Sequence, residues 1–528
     1  MGSRKVMTNM ELFSDEIYRN DEVLKTVQNA IDIVEKKPRL RFINRQQMLL
    51  HPINVEKLVA EDHEVRAIWE FIGRLDLQQY YESIEAVEGE AGRCCWNPQL
   101  LISIWIYSYS KGVSSAREIS RLCEYDPAYQ WLTGMQVINY HTLSDFRIVY
   151  GEELSKLFAD VLGVLSSEGL VTLERVMHDG TKVKAYASGD TFRREDKIQT
   201  HLKLAQQQIE LMEEMSNEEI SPRIMKAQER AVREKKEKLE LAVEELKKIR
   251  ASKKNKDKQE ARVSMTDPQA RIMKQSDGGY APSYNVQIST DSKEKVIVGV
   301  GISQSGSDYG ELVPSYKKIE ENMGRAPNQI VVDGGYVSRE NILAMDEKKI
   351  DLIGGYSEGG KGQSSGQFDK RGIDPAFRPN NFIYDAVSNI YTCPGGKILR
   401  YKGKEKRIGK TNYKYQASKC DCEVCSFKKK CCPENDMKGR AIMRGENVPV
   451  VTAFITKMQT EEAKTIYKQR GAVAEFPNAW IKDKIRLRQF RLRGLKKVRI
   501  EALWACLTYN IKQWIRICWR PQWIECRS

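Results

Sequence analysis

Two aspartates stand where short apolar runs give way to glycine, in Val176-Met177-His178-Asp179-Gly180 and Ile330-Val331-Val332-Asp333-Gly334. If each run is a strand, neighbouring strands about 4.8 Å apart put both carboxylates within reach of shared cations. A third acid on a helix, Glu475, would complete an oxygen cage for two Mg²⁺. Such a pair serves phosphoryl transfer by binding the attacking and the leaving oxygen. Spacing alone leaves a second account open, in which Asp179 and Asp333 merely begin Asp-Gly turns.

A second cluster is sulfur-rich: six of the twelve cysteines lie between Cys393 and Cys432. The Cys-x-x-Cys of Cys422 and Cys425, with Cys393-Pro394 upstream and Cys431 or Cys432 downstream, has spacing suited to a Cys₄ zinc site. Cys393, Cys422, Cys425 and Cys432 are the favoured set, against free thiols or an iron–sulfur cluster. A third feature is charge. From Trp480 to Ile500 nine cations (Lys482, Lys484, Arg486, Arg488, Arg491, Arg493, Lys496, Lys497, Arg499) meet one acid, Asp483. That density next to Glu475 suits a phosphate backbone, and the competing account is a solvated basic face.

The whole chain agrees with a polyanionic partner. Its 528 residues carry a net charge of +14, with 41% hydrophobic and 30% charged residues, as in a globular protein. The absence of any apolar run of about 18 residues rules out a membrane helix. No apolar signal core stands near Met1, so reduced thiols in a cytoplasm are expected.

Elements able to position these residues can be read from periodicity. Residues 1–41 form a polar arm. Helices are expected in 42–150, over Val55–Val59, Val65–Gly73, Pro98–Ser110, Ser115–Cys123, Ala128–Leu132 and His141–Val149. Asn97-Pro98 and Ser114-Ser115 act as starts. Arg117, Arg121 and Arg147 there would either contact DNA or pack. An α/β core is assembled from 171–190, 263–345 and 460–516. In it a strand ends in a turn at Asp179, antiparallel strands cover Tyr284–Thr290 and Val296–Ile302, and a buried strand ends at Asp333. Residues 191–262 form a helical hairpin broken near Pro222. Residues 346–459 form an irregular, cysteine-bearing insertion, and a basic helix runs from Thr460 toward Trp519 with breaks at Pro477 and Gly494.

The motifs His178-Asp179-Gly180-Thr181-Lys182-Val183, Tyr284-Asn285-Val286-Gln287-Ile288, Val332-Asp333-Gly334-Gly335-Tyr336 and Tyr467-Lys468-Gln469-Arg470 with Glu475 occur in that order. So do Ser114-Ser115-Ala116-Arg117-Glu118, Trp131-Leu132-Thr133-Gly134 and Thr142-Leu143-Ser144-Asp145-Phe146-Arg147 in the N-terminal part. The chain thereby resembles the DDE transposases of bacterial insertion sequences, in the IS1182-like group of the broad IS5/IS4-type family. The resemblance implies an RNase H-like mixed-sheet core with an all-α N-terminal domain. It also implies that Asp179, Asp333 and Glu475 bind Mg²⁺ or Mn²⁺, with Glu462 and Glu501 as substitutes for Glu475. Tyr467 and Arg470 would stand by that site, Arg470 pairing with Glu475 or holding a phosphate, and the cysteine cluster would hold structural Zn²⁺. The implied partners are duplex DNA, as terminal inverted repeats and as target, and a second copy of the chain on that DNA. The implied location is the bacterial nucleoid. An inactive DNA-binding descendant and an RNase H-fold nuclease without strand transfer are the alternatives. His178 receives no catalytic role, because its neighbour on a strand points to the opposite face.

Overall fold

Helix signals in the N-terminal part translate almost directly into helices. The computed structural model describes residues 48, 52–82, 84, 94–214, 222–253, 259–356, 368–369, 371–385, 387–407, 410–432, 439–445 and 449–525. The arm over 1–41 thus lies outside the described residues. The elements all belong to the second of the chain's two units, Val55–Ser528. A 3₁₀ turn at Val55–Leu58 precedes α1 (Glu64–Gly73), α2 (Gln78–Tyr81), α3 (Pro98–Ser110), α4 (Ala116–Tyr125), α5 (Pro127–Thr133), α6 (Tyr140–Val149) and α7 (Glu153–Ser167). Asn97 caps α3 by accepting from Gln99 N at 2.8 Å, with Pro98 in the first turn. Ser115 makes no such bond at the start of α4. Its neighbour Ser114, the other serine expected there, accepts at Oγ from Arg491 Nε at 2.8 Å.

Helix α3 is buried at eleven of its thirteen residues, the signature of a helix enclosed on all sides. Against it lies the equally enclosed helix Leu495–Trp514, with Trp504 near Trp105 (6.4 Å) and Tyr109 (6.5 Å). One hydrophobic cluster runs from Val59 through these helices to Val286, Val298 and Trp519. The N-terminal helices and the sheet therefore share a core.

The main sheet has six strands. β1 (Arg175–Lys184) is flanked by β5 (Tyr280–Asp291), antiparallel, and by β7 (Gln329–Val332), parallel. β8 (Asp351–Gly354) runs parallel beyond β7. β4 (Arg271–Lys274) and β6 (Ile297–Ser303) pair with successive parts of the far edge of β5. β1 does not end in a turn at Asp179, as the sequence led us to expect. It continues through Gly180 to Lys184, because β5 is long enough to pair it all the way. Short strands β2 (Phe192–Arg193) and β3 (Val263–Ser264) close the base of the hairpin formed by α8 (Glu195–Glu214) and α9 (Pro222–Ser252). Ile198, Ala205, Leu239, Ala242 and Leu246 zip the hairpin together. The crossovers from β6 to β7 and from β7 to β8 run through α10 (Leu312–Met323) and α11 (Arg339–Glu347).

The insertion is more regular than its composition predicts. β9 (Ile383–Asp385), β10 (Ile390–Thr392), β11 (Ile398–Arg407), β12 (Lys410–Ala417) and β13 (Ala441–Gly445) form an antiparallel sheet, with α12 (Lys419–Glu423) and α13 (Lys428–Cys431) carrying cysteines. The two long strands β11 and β12 are rich in lysine and tyrosine and the other three are only three to five residues long, so none has the apolar run of a buried strand. After α14 (Pro449–Gln459) and α15 (Glu461–Arg470) the chain makes a π turn at Gly471–Glu475 and enters α16 (Phe476–Asp483). The basic helix expected to follow is interrupted. Residues 484–494 are irregular up to α17 (Leu495–Trp514), with left-handed backbone at Arg486 (φ 62°) and Gly494 (φ 83°).

Candidate active site

Strand register builds the site's centre. His178 pairs with Val332 in the parallel ladder, so the next residues, Asp179 and Asp333, stand side by side at the point where β7 ends. Alternation puts them on the face of Met177 and Val331, which pack against Ala463, Ile466, Val473 and Ala474 of the C-terminal helical layer. The turn account holds for Asp333, whose carbonyl accepts from Tyr336 N at 3.0 Å. It fails for Asp179, which pairs with Ile288 inside the β1–β5 ladder. His178 points the other way and is buried, bonded to Ser289 Oγ and Gln287 Oε1 at 2.9 Å each.

The helical layer delivers a cation to the two carboxylates. Arg470 Nη1 lies 3.9 Å from Asp179 Oδ1, and Nη2 lies 3.9 Å from Asp333 Oδ1. Tyr467, one turn earlier on α15, donates to Asp333 Oδ1 at 3.3 Å, and Asn478 Nδ2 donates to Asp179 Oδ2 at 3.4 Å. Arg470 thus pairs with the two aspartates, and Glu475 is not its partner. Burial pushes the Asp179 carboxyl up, with the charges of Asp333 and Asp308 adding to it and Arg470 and the Gly180 N–H opposing it. The Lys482 ammonium is pushed down by burial and by Arg488 and Lys182, against the pull of Asp179. Burial and then Asp333 push the Tyr467 phenol up.

Glu475 closes the π turn five residues after Arg470. On an α-helix that separation is about 500°, which leaves the two side chains about 140° apart. A turn with i→i+5 bonds takes up one extra residue and brings Glu475 back toward the face of Arg470. Glu475 is exposed and, among the described residues, has no hydrogen-bond or ion-pair partner. Its two substitutes lie elsewhere: Glu462 is exposed on α15, while Glu501 is fully buried and accepts from the backbone N–H of Arg491 and Leu492. Among the described residues no three His, Cys, Asp or Glu side chains form a ready metal cage. The donor chemistry nevertheless suits a hard divalent cation. Two neighbouring carboxylates, 24% and 54% exposed at the side chain, already hold a guanidinium between them.

Beyond the carboxylates lies the basic segment. Ile485, Leu487 and Phe490 are buried, while Arg486, Arg488, Arg491, Arg493, Lys496 and Lys497 are exposed. Phe490 N donates to Lys184 O (2.9 Å) and Lys184 N to Arg488 O (3.2 Å), so the segment runs beside the end of β1. Lys184 lies five residue steps along β1 from Asp179, or about 17 Å. Arg147 does not belong to any such surface. It is buried, its guanidinium stacks 4.5 Å from Trp105, and it donates to Ser114 O at 3.0 Å. Arg121 pairs with Glu118, and Arg117 stacks on Tyr140.

Cys393, Cys422, Cys425, Cys431 and Cys432 converge with Phe377 and Phe427 around one small cavity, and Cys420 stays outside it. Cys393 Sγ accepts from Lys397 N at 3.2 Å, and Cys422 Sγ from Arg440 N at 3.4 Å. Backbone N–H groups aimed at sulfur favour thiolate, the form that binds metal. Without metal, burial pushes the Cys422 thiol up despite the Arg440 N–H, and the bond to Cys432 does the same for Cys431.

Two family models match the chain: a transposase DDE domain over residues 392–515 and a transposase domain (DUF772) over residues 53–148. Both matched segments are therefore similar to transposase domains, the C-terminal one to the DDE type. Neither model singles out the IS1182-like group. A solved piggyBac transposase synaptic complex with hairpin DNA is similar over 86% of this chain and 81% of that chain, with 10% identity and a TM-score of 0.23. No curated protein matches. No helix among the described residues is long and apolar enough to cross a membrane. Sequence reading missed Asn478, although its place one turn after Glu475 was a usable signal. It also missed α7, whose Leu154, Leu157, Phe158, Val161, Leu162 and Leu165 repeat at helical spacing.

Proposed function

We propose that this protein is a transposase that cleaves phosphodiester bonds at the ends of its element and joins the freed 3′ ends to target DNA at Asp179, Asp333 and Glu475. The observation that carries the reading is the placement of Asp179 and Asp333, each one residue beyond the paired His178 and Val332, under the Arg470 fork. An RNase H-like core is supported by the strand order β6-β5-β1-β7-β8, three antiparallel strands followed by two parallel to β1.

Asp179, Asp333 and Glu475 would hold Mg²⁺ or Mn²⁺. The ion lowers the pKa of bound water and neutralises charge on the transferring phosphoryl group. Arg470 offsets the repulsion between the two aspartates and offers a planar fork that matches phosphate oxygens. Tyr467 and Asn478 fix the orientation of Asp333 and Asp179 through one hydrogen bond each. The exposed arginines beside β1, with Lys482, Lys496 and Lys497, hold the backbone of duplex DNA, as inverted repeat or as target. Two or more copies act together at paired ends in the nucleoid. Cys393, Cys422, Cys425 and Cys432 hold a structural Zn²⁺ supported by the two N–H···S bonds.

Asp179→Asn, Asp333→Asn and Glu475→Gln test the centre. Each should abolish cleavage of end-containing DNA and leave DNA affinity within about threefold of wild type. Metal-dependent cleavage persisting in Glu475→Gln would move the third ligand to another acid, Glu462 first.

A further inference from the structure

Behind the aspartate pair lies a polar network that the reading above does not use. It converges on Gly180. A Cβ there would fall 2.6 Å from Gln287 Nε2, 2.7 Å from Tyr336 Oη and 2.8 Å from Asp308 Oδ1. Gly180 sits in regular strand, so it is present for space and not for backbone freedom. The three groups come from β5, from the turn begun by Asp333, and from the loop between β6 and α10. A Cβ on Gly335 would likewise touch Asp308 Cβ, at 4.0 Å. The residues two places beyond Asp333 and next to Asp179 both yield room to Asp308.

Donors and acceptors then fall into one order. Asn285 Nδ2 (2.7 Å) and Gln287 Nε2 (3.2 Å) both donate to Asp308 Oδ1. With its amide oriented so, Gln287 Oε1 accepts from Tyr336 Oη (2.7 Å) and from His178 Nε2 (2.9 Å), and His178 Nδ1 accepts from Ser289 Oγ. The buried ring has one partner at each nitrogen, and a single ring proton, on Nε2, satisfies both bonds in this order. The three bonds made by the Gln287 amide depend on its not flipping, and the Asp308 carboxylate, which can only accept, decides that orientation.

We propose that Asp308 is a positioning residue: by locking the Gln287 amide it ties β1 behind Asp179 to the turn that starts at Asp333, and so sets the spacing of the two carboxylates for a divalent cation. This rests on the proposed metal role of Asp179 and Asp333. Without Asp308 the amide is free to rotate, and Tyr336 and His178 lose their shared acceptor.

The test is Mn²⁺ binding to the full chain without DNA, read from the electron paramagnetic resonance of free Mn²⁺, with thermal melting alongside. Asp308→Ala should raise the Mn²⁺ Kd at least tenfold. Asp308→Asn, whose amide oxygen can accept both donors, should stay within about threefold of wild type. Gly180→Ala, which pushes on the same three groups, should resemble Asp308→Ala and carries the test if that variant does not fold. A wild-type Kd in Asp308→Ala with a lowered Tm would overturn the proposal and leave only a structural anchor. Equal weakening in Asp308→Asn would also overturn it, in favour of a charge acting on the ion. If wild type binds Mn²⁺ no better than Asp179→Asn does, the metal reading itself fails and takes the proposal with it.

Discussion

Replacing Arg486, Arg488, Arg491 and Arg493 together with glutamine should weaken binding to element ends and to random duplex alike. On a continuous helix Arg486 and Arg488 would lie about 200° apart, and no more than about two of the four could reach one DNA backbone. The irregular segment 484–494 removes that limit, since all four are exposed beside β1. Their internal partners are weak competitors. Arg488 meets Asp483 at 3.5 Å with both side chains largely in water, a pair worth little. Among the described residues the Arg491 and Arg493 side chains hydrogen-bond through Nε, to Ser114 Oγ and Tyr186 O, and Arg493 also lies 4.7 Å over the Tyr186 ring, which leaves the outer guanidinium nitrogens for phosphate. With about 0.9 in slope per phosphate contact, four contacts contribute about 3.6 to the fall of log affinity with log salt. Between 50 and 200 mM salt the gap between wild type and variant should then narrow by about 150-fold. Fluorescence anisotropy on an end-containing and a scrambled duplex at three salt concentrations measures this. Buried Ile485, Leu487 and Phe490 keep the segment folded in the variant. An unchanged slope with unchanged affinity refutes the reasoning, and a slope reduced by less than 1 would show that the segment lies beside the DNA without gripping it.

Three further outcomes follow from the same structure. In metal-free buffer Asp179→Asn should raise Tm at pH 7. Its carboxyl sits above the unfolded value, so charging it costs the fold as pH rises through that window, and the gain should vanish below the ordinary aspartate range; a gain that grows in acid contradicts this. Elemental analysis of folded protein should give about one zinc per chain, and Cys422→Ser should lose it; an active preparation without zinc removes the site. Trp105→Ala, at a fully buried indole bonded to Leu143 O and stacked under Arg147, should cost about 3–5 kcal/mol in urea unfolding, and a cost under about 1 kcal/mol would mean that the shared core is looser than its packing indicates.

Local patterns made much of this protein legible. The apolar runs before Asp179 and Asp333 are strands, Asn97-Pro98 starts a helix at the expected residue, and Cys393, Cys422, Cys425, Cys431 and Cys432 gather around one cavity. Each of these depends on residues close in the chain, through periodicity, capping or short loops. The sheet β9–β13 escaped notice because its long strands are rich in lysine and tyrosine, its other strands are short, and all are held by pairing across the insertion, not by an apolar run.

What only the tertiary structure decided is which distant groups meet. Nothing near Asp179 in sequence says that β5 carries its strand past the glycine, that Arg470 rather than Glu475 is its partner, or that Asp308 fills the space left by Gly180. Nor does the count of cations after Trp480 show that left-handed Arg486 and Gly494 turn a helix into an exposed segment while Arg147 is drawn into the core. Sequence determined the chemistry available and the period of each element. Register and packing between elements far apart in the chain determined where that chemistry converges, because such contacts are fixed by the joint burial of whole faces and leave no mark on any one stretch of residues.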